Sequence, residues 1–172
     1  MPEFEELYRT YFPRIYMFLY KLCKNEGLAE ELTQETFYQA FTSFHRFKGN
    51  SEVFTWLASI AKHTYYKFLR KNKLQFEAIC IDAVTDVFIA NTLSDKNSPD
   101  IIVQRNAVAE RIKGIVNKIP EKYREVIILR VYAQLSFAEV ASAMKISENS
   151  AKVIYFRAKK MLMEELKDEI EL

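Results

Sequence analysis

The sequence predicts an all-α protein made of two small helical modules joined by a linker. Three observations carry that expectation. Glycine occurs only at Gly27, Gly49 and Gly114, too few for a hairpin-rich β fold or a glycine-rich phosphate cradle, which each need several backbone positions at positive φ. Apolar residues recur at three- and four-residue steps through most of the 172 residues, the spacing of one helix face. The prolines are only four, Pro2, Pro13, Pro99 and Pro120, so helices have room to run long.

The first helix is expected from Glu3 to about Lys24, with Phe4, Leu7, Tyr8, Tyr11, Ile15, Phe18, Leu19 and Leu22 on one stripe. Pro13 predicts a break or kink inside it, because proline removes a donor and clashes with the preceding turn. After a loop at Asn25-Glu26-Gly27, a second helix is expected from about Leu28 to Phe44. Its apolar stripe is Leu28, Leu32, Thr36, Phe37, Ala40, Phe41 and Phe44, and its other face carries Glu30, Glu31, Gln34, Glu35 and Tyr38. A short loop over His45–Ser51 precedes a third helix, about Val53 to Lys71. There Phe54, Leu57, Ala58, Ala61, Tyr65 and Phe68 should face inward, and Ser59, Lys62, His63, Tyr66, Lys67 and Arg70 outward.

Periodicity dissolves from Asn72 to Asn97, a stretch that is acidic and apolar in patches, with no basic residue between Lys73 and Lys96. A purely flexible linker would be more polar, so this one is read as docking on something. Ser98-Pro99-Asp100 opens a helix to about Lys118: a cap residue, proline at the first position and an acid in the first turn. Beyond Pro120 another helix is expected from about Glu121 to Tyr132. Ser136-Phe137-Ala138-Glu139 reads as a capping box with Leu135 and Val140 at staple positions. It starts a short helix, about Phe137 to Met144; after a turn at Lys145-Ile146-Ser147, a longer helix runs to about Leu166. A short helix, a tight turn and a longer helix with a polar, basic outer face make a helix-turn-helix. The expected organisation is a three-helix module at 1–74, a linker at 75–98 and a four-helix module at 99–172.

Composition excludes several classes. Cys23 and Cys80 form neither a CxxC pair nor a disulfide framework, which favours a reducing cytoplasm. The start MPEFEELYRTYF lacks a signal-peptide pattern, and no apolar run approaches the ~20 residues of a membrane span. His45 and His63 belong to no HExxH motif, and no metal or cofactor is expected. The net charge of +2 conceals two basic stretches in separate halves. One holds Lys62, Lys67, Arg70, Lys71 and Lys73, the other Lys152, Arg157, Lys159 and Lys160. One polyanion touched at two places needs such a layout.

Each candidate surface has a plainer reading beside the functional one. The segment 135–162 is either a bundle hairpin or a DNA reader. Small polar residues at the start of its second helix (Glu148, Asn149, Ser150), followed by Lys152, Arg157 and Lys160, favour DNA. Val153 and Ile154 touch thymine methyls or simply pack. The 62–73 face is a solvated charged surface or a nucleic-acid platform. Tyr65, Tyr66, Phe68 and Trp56 favour the platform, since stacking is worth ~1–3 kcal/mol per base. Trp56 by itself is a core residue or a base wedge. The carboxylates Glu30, Glu31 and Glu35 with Gln34 have no apolar pocket to drive their pKa values apart for catalysis. An acidic strip repels DNA, so if functional it docks protein.

AEELTQETFYQAF, FTWLASIAKHTYYKFLRK and IPEKYREVIILRVYAQLSFAEVASAMKISENSAKVIYFRAKKML resemble, in order and spacing, signatures of the extracytoplasmic-function (ECF) sigma factors of bacterial RNA polymerase. The resemblance implies a non-catalytic sigma subunit. The first module would bind core RNA polymerase through Glu30, Glu31, Leu32, Gln34, Glu35 and Phe37. It would capture the melted, single-stranded −10 element with Phe47, Lys48, Gly49, Asn50, Trp56, Lys62, His63, Tyr66, Lys67 and Arg70. The second module would read the double-stranded −35 element with Asn149, Ser150, Lys152, Val153, Ile154, Arg157 and Lys160, and touch the polymerase flap. The linker would thread toward the polymerase cleft, and an anti-sigma factor is a further implied partner. This chain has His63 and Lys67 where family members often have Asn and Asp, and Val153 and Ile154 where polar or basic residues are common. Two other classes compete. A stand-alone helix-turn-helix regulator explains 135–162 but neither the acidic nor the aromatic-basic helix, and an all-α enzyme has no supporting constellation.

Overall fold

The computed structural model describes residues 2–73 and 118–170, with side chains over 3–73 and 118–165. Every regular element among these residues is a helix. The N-terminal module comprises α1 (Pro2–Cys23), α2 (Glu26–Ser43), a 3-10 turn (Phe44–Arg46) and α3 (Val53–Lys71). The C-terminal module comprises α4 (Glu121–Ile127), continued by a π-helical turn (Ile128–Tyr132), then α5 (Phe137–Met144) and α6 (Glu148–Ile170). The linker and the helix expected from Ser98 to Lys118 lie outside the described residues, save Lys118 itself.

Helices α1, α2 and α3 pack pairwise on one another. The first runs unbroken through Pro13, against the break or kink expected there. A proline inside a helix costs ~3 kcal/mol. Beyond it Ile15, Phe18, Leu19 and Leu22 are all buried, each worth ~1.5–3 kcal/mol, and that burial offsets the lost bond. Helix α2 starts at Glu26, earlier than expected, because the Asn25 side chain accepts the Leu28 N–H at 2.8 Å and caps it. Its buried arc is Ala29, Leu32, Thr33, Thr36, Phe37 and Ala40. The two threonines are satisfied within the helix, donating to the Ala29 and Leu32 carbonyls at 2.6 and 2.7 Å. In the loop before α3, Gly49 sits at φ +69°, where a side chain would strain the backbone.

The α4 helix departs from the regular α-helix expected over Glu121–Tyr132. Val126, Ile127, Ile128 and Leu129 are all buried, and successive positions 100° apart leave such a run no open side. It is therefore the axis of its module. The ladder then widens, with Ala133 N–H bonding the Ile128 carbonyl at 3.1 Å. The wide turn delivers Tyr132, Ala133 and Leu135 into buried positions. Arg130 secures the exit, donating to the Leu135 carbonyl at 2.7 Å and lying over the Phe137 ring.

The helix-turn-helix forms as its local signals dictate. Ser136 Oγ accepts the Glu139 N–H at 3.2 Å, and Glu139 Oε2 accepts the Ser136 N–H at 2.7 Å. Leu135 and Val140 are buried beside this box. Lys145 closes α5 in the left-handed region at φ +56°, and Ser147 Oγ accepts the Ser150 N–H at 3.1 Å to start α6. Ala151, Ala158 and Leu162 form the fully packed back of α6 against α4 and α5.

Burial acts to raise the Glu139 carboxyl, but hydrogen bonds from Ser136 and Thr55 and the charge of Arg14 outweigh it and hold the group below its usual value. A depressed carboxylate contributes stability that is present above its unfolded pKa and lost as pH falls through the folded one. The urea midpoint of the wild-type chain should therefore fall on acidification from pH 6 to pH 3, around the usual carboxylate range of ~4.3. Glu139→Gln, which keeps a capping side chain, should flatten that fall. Parallel profiles for the two proteins would contradict the assignment.

Candidate nucleic-acid interface

Helical geometry puts Trp56, Ile60, His63, Lys67 and Arg70 on one stripe of α3. His63, Lys67 and Arg70 are exposed, and Tyr66 is half-buried beside them. At the head of the stripe the Trp56 ring stacks on Phe47 at 4.7 Å and lies 6.3 Å from Phe44. Trp56 is thus half-buried in an aromatic shelf rather than a core residue. Lys48, Gly49 and Asn50 stand exposed at its edge. Burial lowers the His63 pKa first, and the charges of Lys62, Arg70 and Lys145 lower it further, so the imidazole is neutral at pH 7.

Lys62 does not join that stripe. The sequence places it on the outer face, yet its side chain is 2% exposed and its ammonium pairs with Glu125 of α4. It points off the flank of α3 that α5 and α4 cover, as does Thr55, whose hydroxyl donates to Glu139 at 3.3 Å. Burial pushes the Lys62 pKa down to about 8, with Glu121 opposing; beside the carboxylates the group is charged at neutral pH.

On α2, Glu30, Glu31, Gln34 and Glu35 share an exposed face. Leu32 and Phe37, expected there too, are 4% and 3% exposed and belong to the core. Their spacing places them with Ala29, Thr33, Thr36 and Ala40 on the opposite arc. Between α2 and α3 lies a groove of about 510 Å³ with Glu31, Glu35 and Tyr38 on one wall and Lys67, Phe68 and Lys71 on the other.

On α6, Asn149, Ser150, Lys152, Val153, Arg157 and Lys160 are exposed. Val153 is exposed on this face, whereas Ile154 is half-buried and packs against the core. Among the described residues, Lys152 and Lys160 make exposed same-helix pairs, with Glu148 at 2.8 Å and Glu164 at 3.6 Å. Such pairs are worth ~0.3–0.5 kcal/mol and yield readily to phosphate.

The chain matches Sigma-70 region 2 over residues 7–75 and Sigma-70 region 4 over residues 109–162. It is 30% identical over 158 residues to the ECF RNA polymerase sigma factor SigM of Bacillus subtilis (strain 168), covering 92% of this chain and 91% of that protein. The chain belongs to the ECF sigma factors. The sigma factor is also 31% identical over 170 residues to SigX of the same organism, covering 97% and 87% of the two chains. Among solved structures, the sigma factor RpoE of Bartonella quintana, crystallised with the anti-sigma factor NepR, shares the fold. Its TM-score is 0.57 at 22% identity, over 97% of this chain and 98% of that one. As a sigma factor, the protein directs RNA polymerase to promoters and initiates transcription there. None of its described helices is long and apolar enough to cross a membrane. No group of three or more His, Cys, Asp or Glu side chains among the described residues is placed to hold a metal ion.

The sigma factor also exposes aromatics that sequence reasoning left out of its candidate sites. Tyr38, 65% exposed, continues the acidic face of α2, and Phe41 stands beyond it. Phe156, 58% exposed, lies on the α6 face between Val153 and Lys160. The signal for Phe156 was available: it is three residues after Val153 and four before Lys160, hence on their face.

Proposed function

We propose that this sigma factor divides its work among three exposed surfaces and is not itself catalytic. The acidic face of α2 (Glu30, Glu31, Gln34, Glu35) docks core RNA polymerase. The Phe47–Trp56 shelf, with Lys48, Gly49, Asn50, His63, Tyr66, Lys67 and Arg70, holds unstacked −10 bases and their phosphates. Asn149, Ser150, Lys152, Val153 and Arg157 enter the major groove of the −35 element, with Lys160 on the backbone. In domain terms, 1–74 is the melting module, 75–98 the linker and 99–172 the −35 module. The observation that carries this reading is the separation of charge. Helix α2 carries the exposed carboxylates Glu26, Glu30, Glu31 and Glu35 and no cation, whereas α3 carries the exposed cations Lys67, Arg70 and Lys71 and no carboxylate, and α6 exposes Lys152, Arg157 and Lys160.

No nucleotide-hydrolysis motif accompanies these surfaces, so strand opening draws on binding energy. Stacking at ~1–3 kcal/mol per base is comparable to the few kcal/mol that unstacking costs. The working compartment is the cytoplasm, and an anti-sigma factor that covers these surfaces is the expected regulator.

The test is reconstitution with core polymerase and a promoter library. Specific transcripts should appear only when both proteins are present. A chain that shifts duplex DNA unaided and starts no transcripts would be a stand-alone regulator instead. Replacing Lys152 and Arg157 together with alanine should lower transcription from promoters that need a −35 element by roughly 30-fold or more, at ~1–3 kcal/mol for each of the two lost contacts. Undiminished transcription would remove α6 from DNA.

A further inference from the structure

Helix α3 has no Asp or Glu anywhere between Val53 and Lys71, and its exposed cations, Lys67, Arg70 and Lys71, crowd its last two turns. A carboxylate does stand at the opposite end, on the exposed Glu52 just before the helix, but about 22 Å of axis separates it from Lys67 at ~1.5 Å per residue. The three cations do not occupy equivalent positions. At 100° per residue, Lys67 lies about 20° round the helix from Trp56, Lys71 about 60° in the same sense and Arg70 about 40° in the other. Lys67 therefore belongs both to the stripe that starts at the aromatic shelf and to the groove between α2 and α3, whose far wall holds Glu31 and Glu35. Lys71 lines that groove but stands off the stripe; Arg70 is on the stripe but is not part of the groove. Among the described ion pairs none involves Lys67.

This placement sorts the cations by what they can meet. Glu31 and Glu35 repel a phosphate on the groove side of the stripe, so a nucleic-acid backbone is favoured on the Arg70 flank. A base edge is neutral and bears no such penalty, and Lys67 is the cation it meets. Lys67 is about 17 Å along the axis from Trp56, so the base it meets lies at most about five positions from one held on the shelf, at ~3.4 Å per stacked base. We propose that Lys67 is a specificity-determining residue that selects a keto base, guanine or thymine, at one position of the −10 element and rejects the amino bases adenine and cytosine. The proposal rests on the assignment of α3 to the −10 element made above. An ammonium has three donors and no acceptor. It can bond the guanine O6 or the thymine O4, but the adenine N6 and cytosine N4 amino groups would face it donor to donor. No carboxylate on α3 is there to receive such an amino group. The neutral His63, one turn before Lys67, has one donor and one acceptor and makes no choice between the two classes.

The test is transcription by core polymerase and the full-length chain from a barcoded promoter library randomised across the −10 element. With the wild type, one position should yield guanine and thymine over adenine and cytosine by about five-fold or more. Lys67→Glu should reverse the preference at that position and leave every other position within about two-fold. Where the reversed charge silences initiation, Lys67→Gln, which has both a donor and an acceptor, should shrink the preference to within about two-fold. Arg70→Ala reads the surface independently of the base: it should lower transcription several-fold across all sequences without changing any preference. A wild type with no keto-selective position overturns the proposal. So does a Lys67 variant that keeps the wild-type preferences, including one that loses activity evenly over the library, which would put Lys67 on phosphate. If Arg70→Ala lowers transcription in these cases, only the base selection by Lys67 fails. If Arg70→Ala and both Lys67 variants match the wild type, the −10 assignment of α3 itself fails.

Discussion

Reversing the charge of Glu31 and Glu35 together, as Glu31→Lys with Glu35→Lys, is expected to weaken binding of this sigma factor to core RNA polymerase by about 100-fold or more. Both carboxylates are exposed on α2. Among the described hydrogen bonds, the one to either is from Gln39 to Glu35 at 2.8 Å, itself exposed. Fold stability should therefore stay within about 0.5 kcal/mol of wild type, as for most surface substitutions. At a docked interface, in contrast, like-charge juxtaposition costs several kcal/mol, and each ~1.4 kcal/mol is tenfold in affinity. The measurement is a titration of labelled protein with core polymerase at fixed ionic strength, because salt screens exposed charge. An unchanged dissociation constant with intact helix content would take the polymerase off this face.

Phe37→Ala, two residues beyond Glu35 on the same helix, is expected to do the reverse. It should cost the N-terminal module ~3–5 kcal/mol of stability and act on polymerase only through that loss. The Phe37 ring packs edge-on against Tyr8 at 4.8 Å and stacks with Phe12 at 5.8 Å, and aromatic pairs add ~0.5–1.5 kcal/mol each beyond the buried area. Leu32→Ala should behave similarly, at ~2–5 kcal/mol. Urea unfolding followed by far-UV circular dichroism gives the stability, and the same polymerase titration under folding conditions gives the docking. A Phe37→Ala protein with an unshifted midpoint and weakened polymerase binding would restore Phe37 to the docking surface.

Leu32 and Phe37 also show what the sequence does and does not make legible. Their three- and four-residue spacing already places them on the apolar arc with Thr36 and Ala40. The family motif runs through the helix without regard to its faces, and transferring the motif whole carried them to the wrong side. Elements fixed by neighbouring residues were the most legible. The capping box at Ser136 and the cap at Ser147 set the starts of α5 and α6, and α3 spans Val53–Lys71 as expected. Features that depend on distant partners were not legible. Nothing near Lys62 in sequence announces that Glu125 will meet it. The π-helical turn at Ile128–Tyr132 arises where a helix is enclosed on all sides, and no local residue signals that. Pro13 misled because its local penalty is visible in the sequence and the tertiary burial that outweighs it is not.

Ala151 and Ala158, on the hidden side of α6, are fully enclosed by the rest of their module. With a single methyl at each point, the helix axis settles close against its supports, and the direction of its exposed face is fixed from the rear. Enlarging either residue would tilt the rod that carries Asn149 and Arg157 without altering any group on its exposed face. On the proposed −35 reading of α6, promoter choice would be open to change by residues that never meet DNA, a route by which related regulators with identical reading surfaces could come to prefer different genes.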